Sequence, residues 1–262
     1  MIGGNTASAL LRLGMGPIQR FSLGRSAGWG ATVMRSRGAF HPYWTDRTAA
    51  GLELAEQLGA WTHQGDTTTV VALPRGGVPV AVEIARRLDL PLTTWAVRKL
   101  ALPTNPEFAI GAIAPGDVVL WDPASSRGLM HYPDLRRTIL EREEQELRRR
   151  QQLFGDAPPE QLRGRQLIVV DDGIATGLTV RAALLSLRQL QPQCLVLAVP
   201  VVASRVLQDL RGLVNEAVVL AAVDDLIAVG CHYFRFEQLR DADVLTLLAD
   251  CRRHQPVAST SV

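Results

Sequence analysis

The chain has no run of about eighteen apolar residues, the length a membrane-spanning helix needs. Its longest apolar stretch, Leu195 to Ala203, is broken by Pro200 and has the length of a buried strand. Cysteine is scarce: Cys194, Cys231 and Cys251 are odd in number, far apart and without a CxxC pair. That spacing indicates neither a disulfide framework nor a zinc site and fits a reducing, cytoplasmic setting. Lysine is almost missing, Lys99 standing alone beside 27 arginines. Acid is missing from residues 1–45, which hold Arg12, Arg20, Arg25, Arg35 and Arg37. The net charge of +2 therefore divides into +5 on this leader and −3 on the rest. The basic pI belongs to the leader and marks no nucleic-acid surface on the folded body. Without a helix-turn-helix or an appended basic domain, neither nucleic acid nor membrane is an expected partner.

What is present is ample material for a core: 47% of the 262 residues are apolar and 21% charged. Residues 1–40, rich in Gly, Ser and Arg, show no sustained period. They are read as a disordered leader or a mis-assigned start, with Met34 a natural alternative, and an Arg/Ser-rich transit peptide matches the composition too. The body is placed at 44–245, with a hood at about 224–243 and a tail at 246–262. Thr45 and Asp46 offer an N-cap for a helix to about Gly59. Apolar runs at 68–73, 92–97, 118–121, 167–170, 195–199 and 217–222 read as strands, with helices at 79–88, 178–190 and 204–210 between them. Residues 101–116, carrying three prolines and two glycines, read as a long mobile loop ending in a short strand. Residues 133–154 form a strongly charged helix with a thin apolar stripe, lying over the core edge or offering a surface for a partner, a homodimer among the options. Nearly all-apolar strands alternating with helices predict an α/β fold: an open, mostly parallel sheet with helices on both faces.

The sharpest feature is Leu167-Ile-Val-Val-Asp-Asp-Gly-Ile-Ala-Thr-Gly-Leu-Thr179. A buried strand ends in two carboxylates, Asp171 and Asp172, at the end of the sheet where ligands bind. Gly173, Ala175, Thr176 and Gly177 then turn into a helix beginning near Leu178 and Thr179. Free N–H groups at such a helix start hold anions, and the threonine hydroxyls add donors. The two acids suit sugar hydroxyls or a hydrated magnesium ion instead. Phosphate beside a vicinal diol describes a ribose 5-phosphate. A Walker loop and a GxGxxG fingerprint are both absent.

This segment resembles the phosphoribosyl-pyrophosphate (PRPP) motif of type I phosphoribosyltransferases. Leu73-Pro-Arg-Gly-Gly77 stands where that family has its pyrophosphate loop. Arg98-Lys99 follows at the end of the next strand. The runs at 73–80, 97–100 and 105–113 are similar to a poorly characterised group of phosphoribosyltransferase-domain proteins. The resemblance covers about residues 44–245.

It implies a type I phosphoribosyltransferase-like sheet with a small C-terminal hood. It also implies transfer of 5-phosphoribose from PRPP to a nitrogen acceptor, a nucleobase or similar, with release of pyrophosphate. Arg75, Arg98 and Lys99 would neutralise the departing pyrophosphate, and Gly76 and Gly77 would shape its loop. Glu107 would act on pyrophosphate-bound magnesium or the acceptor, or else be a helix-capping surface acid. Magnesium would be held through PRPP near Asp171 and Asp172 rather than directly by the chain. Ala175 stands where the 6-oxopurine enzymes carry a catalytic Asp, which argues against their base mechanism. Tyr233, Phe234 and Phe236 are candidates for stacking on the acceptor, or for capping the core. A non-catalytic PRPP sensor of the same fold, and hydrolysis with water as acceptor, stand as alternatives.

Overall fold

The computed structural model describes residues 30–36 and 42–253. In chain order its elements are β1 (Gly30–Ser36), α1 (Arg47–Gln57), β2 (Thr68–Ala72), α2 (Gly77–Leu88), β3 (Leu92–Thr94), β4 (Arg98–Leu102), β5 (Asn105–Ala114) and β6 (Val118–Trp121). There follow α3 (Pro133–Phe154), α4 (Pro159–Leu162), β7 (Gln166–Val170), α5 (Leu178–Arg188), β8 (Cys194–Ala203), α6 (Ser204–Leu210), β9 (Glu216–Val223) and α7 (Asp241–Arg253). Six strands form a parallel sheet in the order β1-β9-β8-β7-β2-β3, while β4, β5 and β6 form a separate antiparallel sheet. Among the described residues no helix is long and apolar enough to cross a membrane.

Side chains alternate across the parallel sheet, as the two-residue period of a strand requires. Val70, Ile168, Val196 and Val218 face α1, α2 and α7. Val71, Val169, Leu197 and Val219 face α5 and α6. Both faces are covered, which is why these strands read as unbroken apolar runs rather than alternating ones. Asp46 caps α1 as expected, its carboxylate accepting from the Ala49 N–H at 3.0 Å.

Three expectations are corrected. Residues 30–36, assigned to a disordered leader, form β1 on the outer edge of β9, where a parallel partner satisfies an otherwise open row of backbone groups; residues 1–29 and 37–41 lie outside the described residues. Residues 101–116 are not a long loop: β4 and β5 pair antiparallel, with Arg98 opposite Ile113 and Leu100 opposite Gly111. The prolines at 103, 106 and 115 sit in the connections and near the strand start, where ladder donors are least needed. Residues 246–253 are not a tail. They belong to α7, whose Val244, Leu248 and Cys251 recur on one face and are buried in the core.

Where α3 ends, Gly155 takes the left-handed conformation and Asp156 turns back under the sheet. Its carboxylate accepts from Thr94 Oγ1 at 2.5 Å and from the Ala96 N–H at 2.7 Å, stitching the β3–β4 connection to the end of α3. Burial outweighs these two bonds and pushes the carboxyl up to about 6. The folded state therefore binds this proton more tightly than the unfolded chain, and stability from this group falls as pH rises from about 4 to about 6. The linkage amounts to about 3 kcal/mol at most. Asn removes the charge while its oxygen still accepts from the Ala96 N–H and its amide nitrogen donates to Thr94 Oγ1, reversing that bond. Melting wild type and Asp156→Asn in parallel should show the variant gaining on wild type across that window and holding a constant lead above it; parallel curves would remove Asp156 as the source.

Candidate active site

From β2 the chain moves outward to β3, whereas from β7 it moves the opposite way, through β8 to β9. The order reverses between β2 and β7, and a crevice at the carboxyl ends of strands flanking such a reversal is where open α/β sheets bind ligands. The loops leaving those two strands are 73–77 and 171–177, the two segments singled out by their sequence.

Asp171 and Asp172 leave β7 side by side and partly buried, the Asp172 N–H donating to Asp171 Oδ1 at 2.9 Å. Burial, together with the charge of Asp172, pushes the Asp171 carboxyl well above the usual range. Asp172 is raised by burial too, but Arg47 opposes the shift. The turn that follows is anchored to β8: the Ile174 N–H donates to the Val201 carbonyl, and the Ala203 N–H to that of Ile174, both at 2.9 Å. Gly177 enters α5 at φ +78, a conformation that suits glycine, and lies over Val206. Thr176 is exposed, while Ala175, Leu178 and Thr179 are half-buried around the open first turn of α5. An anion laid here meets backbone N–H groups and the positive end of the helix.

The loop after β2 lies directly against the acids. The Leu73 N–H donates to the Val170 carbonyl at 2.9 Å, and the Pro74–Arg75 peptide is cis. A Cβ at Gly76 would run into the Asp172 carboxylate, and one at Gly77 into the Val170 carbonyl and the Asp171 backbone. Arg75 follows at the open rim, 3.7 Å from Asp241.

The expected basic pair is split by the strand it sits on. Arg98 shares a face of β4 with Leu100, toward α3, where its guanidinium donates through Nε and Nη2 to the buried Glu143 at 2.9 and 2.7 Å. Lys99 is exposed on the other face and pairs in register with Ala112, which packs with Val180 and Ala183 of α5. Thus, of the two, only Lys99 lies on the side of α5, the helix that the 173–177 turn enters. Glu107 belongs to β5; its side chain lies outside the described residues.

Of the two roles open to the hood aromatics, stacking on an acceptor or capping the core, Tyr233 and Phe236 take the second. Tyr233 is buried, and its hydroxyl donates to the Asp172 carbonyl at 2.6 Å. Phe236 packs on Tyr233 and Gly230, and the Arg47 guanidinium lies 3.8 Å above its ring. Phe234, the third ring, is exposed. Two of the three rings therefore brace the acid pair from beneath instead of presenting faces to a ligand.

Arg47 was missed by sequence reasoning. Its Nε donates to Asp172 Oδ2 at 2.8 Å and its Nη1 to the Glu237 carbonyl at 3.0 Å. It stands in the first turn of α1, 125 residues before Asp172, and the sequence carries no local signal for the pairing. Among the described residues no group of three or more His, Cys, Asp or Glu side chains is placed to hold a metal. The donor set at the strand end is two carboxylates, which suits a magnesium ion whose other ligands are water and substrate oxygens.

A sheet reversal flanked by an acid pair, an open helix start and a glycine loop makes a candidate ligand site at the strand ends of an open α/β sheet. The family model of the phosphoribosyl transferase domain matches residues 47–212, and the chain belongs to that family. It is 39% identical over 212 residues to two curated Mycobacterium tuberculosis proteins, from strains CDC 1551 / Oshkosh and ATCC 25618 / H37Rv, each named "Putative phosphoribosyl transferase". That match takes in 79% of this chain but 47% of theirs, so the chain spans about half the length of the curated relatives it matches. The crystal structure of TT1426 from Thermus thermophilus is similar at TM-score 0.59 and 37% identity, over 79% of this chain and 98% of that one.

Proposed function

We propose that the protein transfers a 5-phosphoribosyl group from PRPP to a nitrogen nucleophile, releasing pyrophosphate. The observation that carries this reading is the contact of the two loops across the sheet reversal. Gly76 of the one lies against the carboxylate of Asp172 in the other, so that diol, phosphate and pyrophosphate sites adjoin. The 5-phosphate would sit on the 173–177 turn and the start of α5. Asp171 and Asp172 would accept the ribose hydroxyls and stabilise the positive charge that develops on the ring as the C1–oxygen bond to pyrophosphate breaks. Arg75 and Lys99 would balance the departing charge. Magnesium would supply further charge neutralisation on the pyrophosphate, held by substrate oxygens near the two acids.

Calorimetric titration of PRPP with magnesium should show binding to the wild-type chain and its loss, about 100-fold or more, in the Asp171→Asn/Asp172→Asn variant. Equal affinity in both would remove the acid pair from the donor site. A second reading, a PRPP-binding regulator without turnover, is favoured by Tyr233 and Phe236 being engaged beneath the acid pair rather than facing a base. Pyrophosphate release on supplying nucleobases and small amines separates the two: release supports the transferase, and binding without release supports the regulator.

A further inference from the structure

Asp172 is tied to the hood at both its side chain and its backbone. Its carboxylate accepts from Arg47 Nε through Oδ2, and its carbonyl accepts from the Tyr233 hydroxyl. Arg47 is gripped in turn from the hood. Its plane rests on the Phe236 ring, and its Nη1 donates to the Glu237 carbonyl. Backbone bonds lace the start of α1 to the same segment. The Tyr43 N–H donates to the His232 carbonyl, the Phe234 N–H to that of Trp44 and the Arg235 N–H to that of Thr45, all at 2.9 Å. A little earlier in the hood, Val229 fills the space a Cβ would take at Gly173, the first residue after the acid pair.

A guanidinium held at both edges and on one face has a single position, which a flexible ammonium would not have. It therefore offers Asp172 one orientation. Taking Oδ2 leaves Oδ1 for a ligand. Both side chains are largely closed to water, so solvent does not readily replace the bond. A hydrogen bond weakens steeply when misaligned, and a carboxylate that receives a ribose hydroxyl works best with its rotamer locked from behind.

We propose that Arg47 is a positioning residue for Asp172, and that the hood segment 229–237 sets donor affinity through it. The proposal rests on the donor reading above, and it makes the hood a part of the donor site rather than a cover alone. By reciprocity, a ligand that shifts residues 233–237 changes the hold on the ribose, and a bound ribose steadies the hood. If Arg47 only fastened α1 to the hood, a change at Phe236 would lower stability and leave donor affinity as it was.

The test is a double-mutant cycle read by calorimetric titration of PRPP with magnesium into the full chain, with circular dichroism confirming the fold of each variant. Arg47→Gln should weaken binding about tenfold or more, and Arg47→Lys should recover part of that loss. Phe236→Leu keeps an apolar side chain but removes the ring beneath the guanidinium. It should weaken binding about threefold to fivefold on its own, and less than about twofold when added to Arg47→Gln, because its effect passes through Arg47. Tyr233→Phe, which leaves every charge in place, should weaken binding about threefold. Wild-type affinity in both Phe236→Leu and Tyr233→Phe overturns the proposal, as does an equal effect of Phe236→Leu with and without Arg47. In those cases the wild-type chain still binds PRPP and the donor reading stands. A wild-type chain that binds no PRPP removes the donor reading and this inference with it.

Discussion

Gly76→Ala should weaken donor binding about 100-fold while leaving the fold intact. Gly76 has φ −60 and ψ −37, an ordinary helical conformation, so alanine brings no backbone strain. What it brings is a methyl group placed on the Asp172 carboxylate. That side chain must shift, and because Oδ2 is also the atom that accepts from Arg47 the weakened ion pair costs about 1–2 kcal/mol of stability, while a carboxylate turned away no longer accepts from a ribose hydroxyl. PRPP affinity should fall about 100-fold, or about 2.7 kcal/mol, with the melting temperature within a few degrees of wild type. Gly77→Ala makes the contrast. Its methyl meets the Val170 carbonyl and the Asp171 backbone, neither of which can rotate away, so it should cost about 1–3 kcal/mol of stability. Titration and melting of the two variants side by side decide the matter. Wild-type affinity in Gly76→Ala would mean that the glycine loop and the acid pair do not form one site.

Arg47→Met should be among the most damaging single changes outside the core. The Arg47–Asp172 pair is nearly closed to solvent on both sides, 11% and 14% exposed. Removing one partner of such a pair leaves a charge without compensation, a loss of about 2–4 kcal/mol after allowing for the residual exposure. The cation above Phe236 and the bond to the Glu237 carbonyl go with it. The pH dependence identifies the cause. Arg47 holds down the raised carboxyl of Asp172, so without it Asp172 takes its proton at higher pH. The stability deficit should be full at neutral and alkaline pH and shrink as the pH falls through the range where Asp172 is protonated in the variant. Adding Asp172→Asn should restore much of the loss, giving a double variant more stable than the sum of the two single changes predicts. A deficit below about 1 kcal/mol, independent of both pH and Asp172, would reduce Arg47 to an ordinary exposed ion pair.

These outcomes show what can be read along a chain and what cannot. The parallel sheet was legible because strands covered on both faces must be apolar throughout, as 167–170 and 195–199 are. The acid pair and its turn were legible because strand end, carboxylates, turn and helix start are contiguous, and contiguous residues keep their spacing whatever the rest of the molecule does. Residues 118–121 were legible as a strand, but the pairing of β4 with β5 that completes the antiparallel sheet was missed because prolines and glycines at 103–116 read as loop. Its strands are held by cross-strand pairs such as Lys99 with Ala112, not by a local pattern.

Side-chain direction was out of reach for the same reason. Arg98 and Lys99 are neighbours in sequence and so point to opposite faces of β4; which face meets α3 and which meets α5 depends on how the small sheet docks. Tyr233 and Phe236 read equally as ligand-stacking or core-capping rings until Asp172 and Arg47 are brought beside them. By itself, then, the sequence determined an α/β sheet, the position of the acid pair and the turn that follows it, and the glycines of the facing loop. Only the tertiary structure decided that Arg47 and Tyr233 brace Asp172, that Arg98 turns to Glu143, and that α3 and α7 bring Arg149 and Asp241 to Arg75. Each of these is a contact between residues 45 or more positions apart, fixed by packing and charge in three dimensions rather than by spacing along the chain.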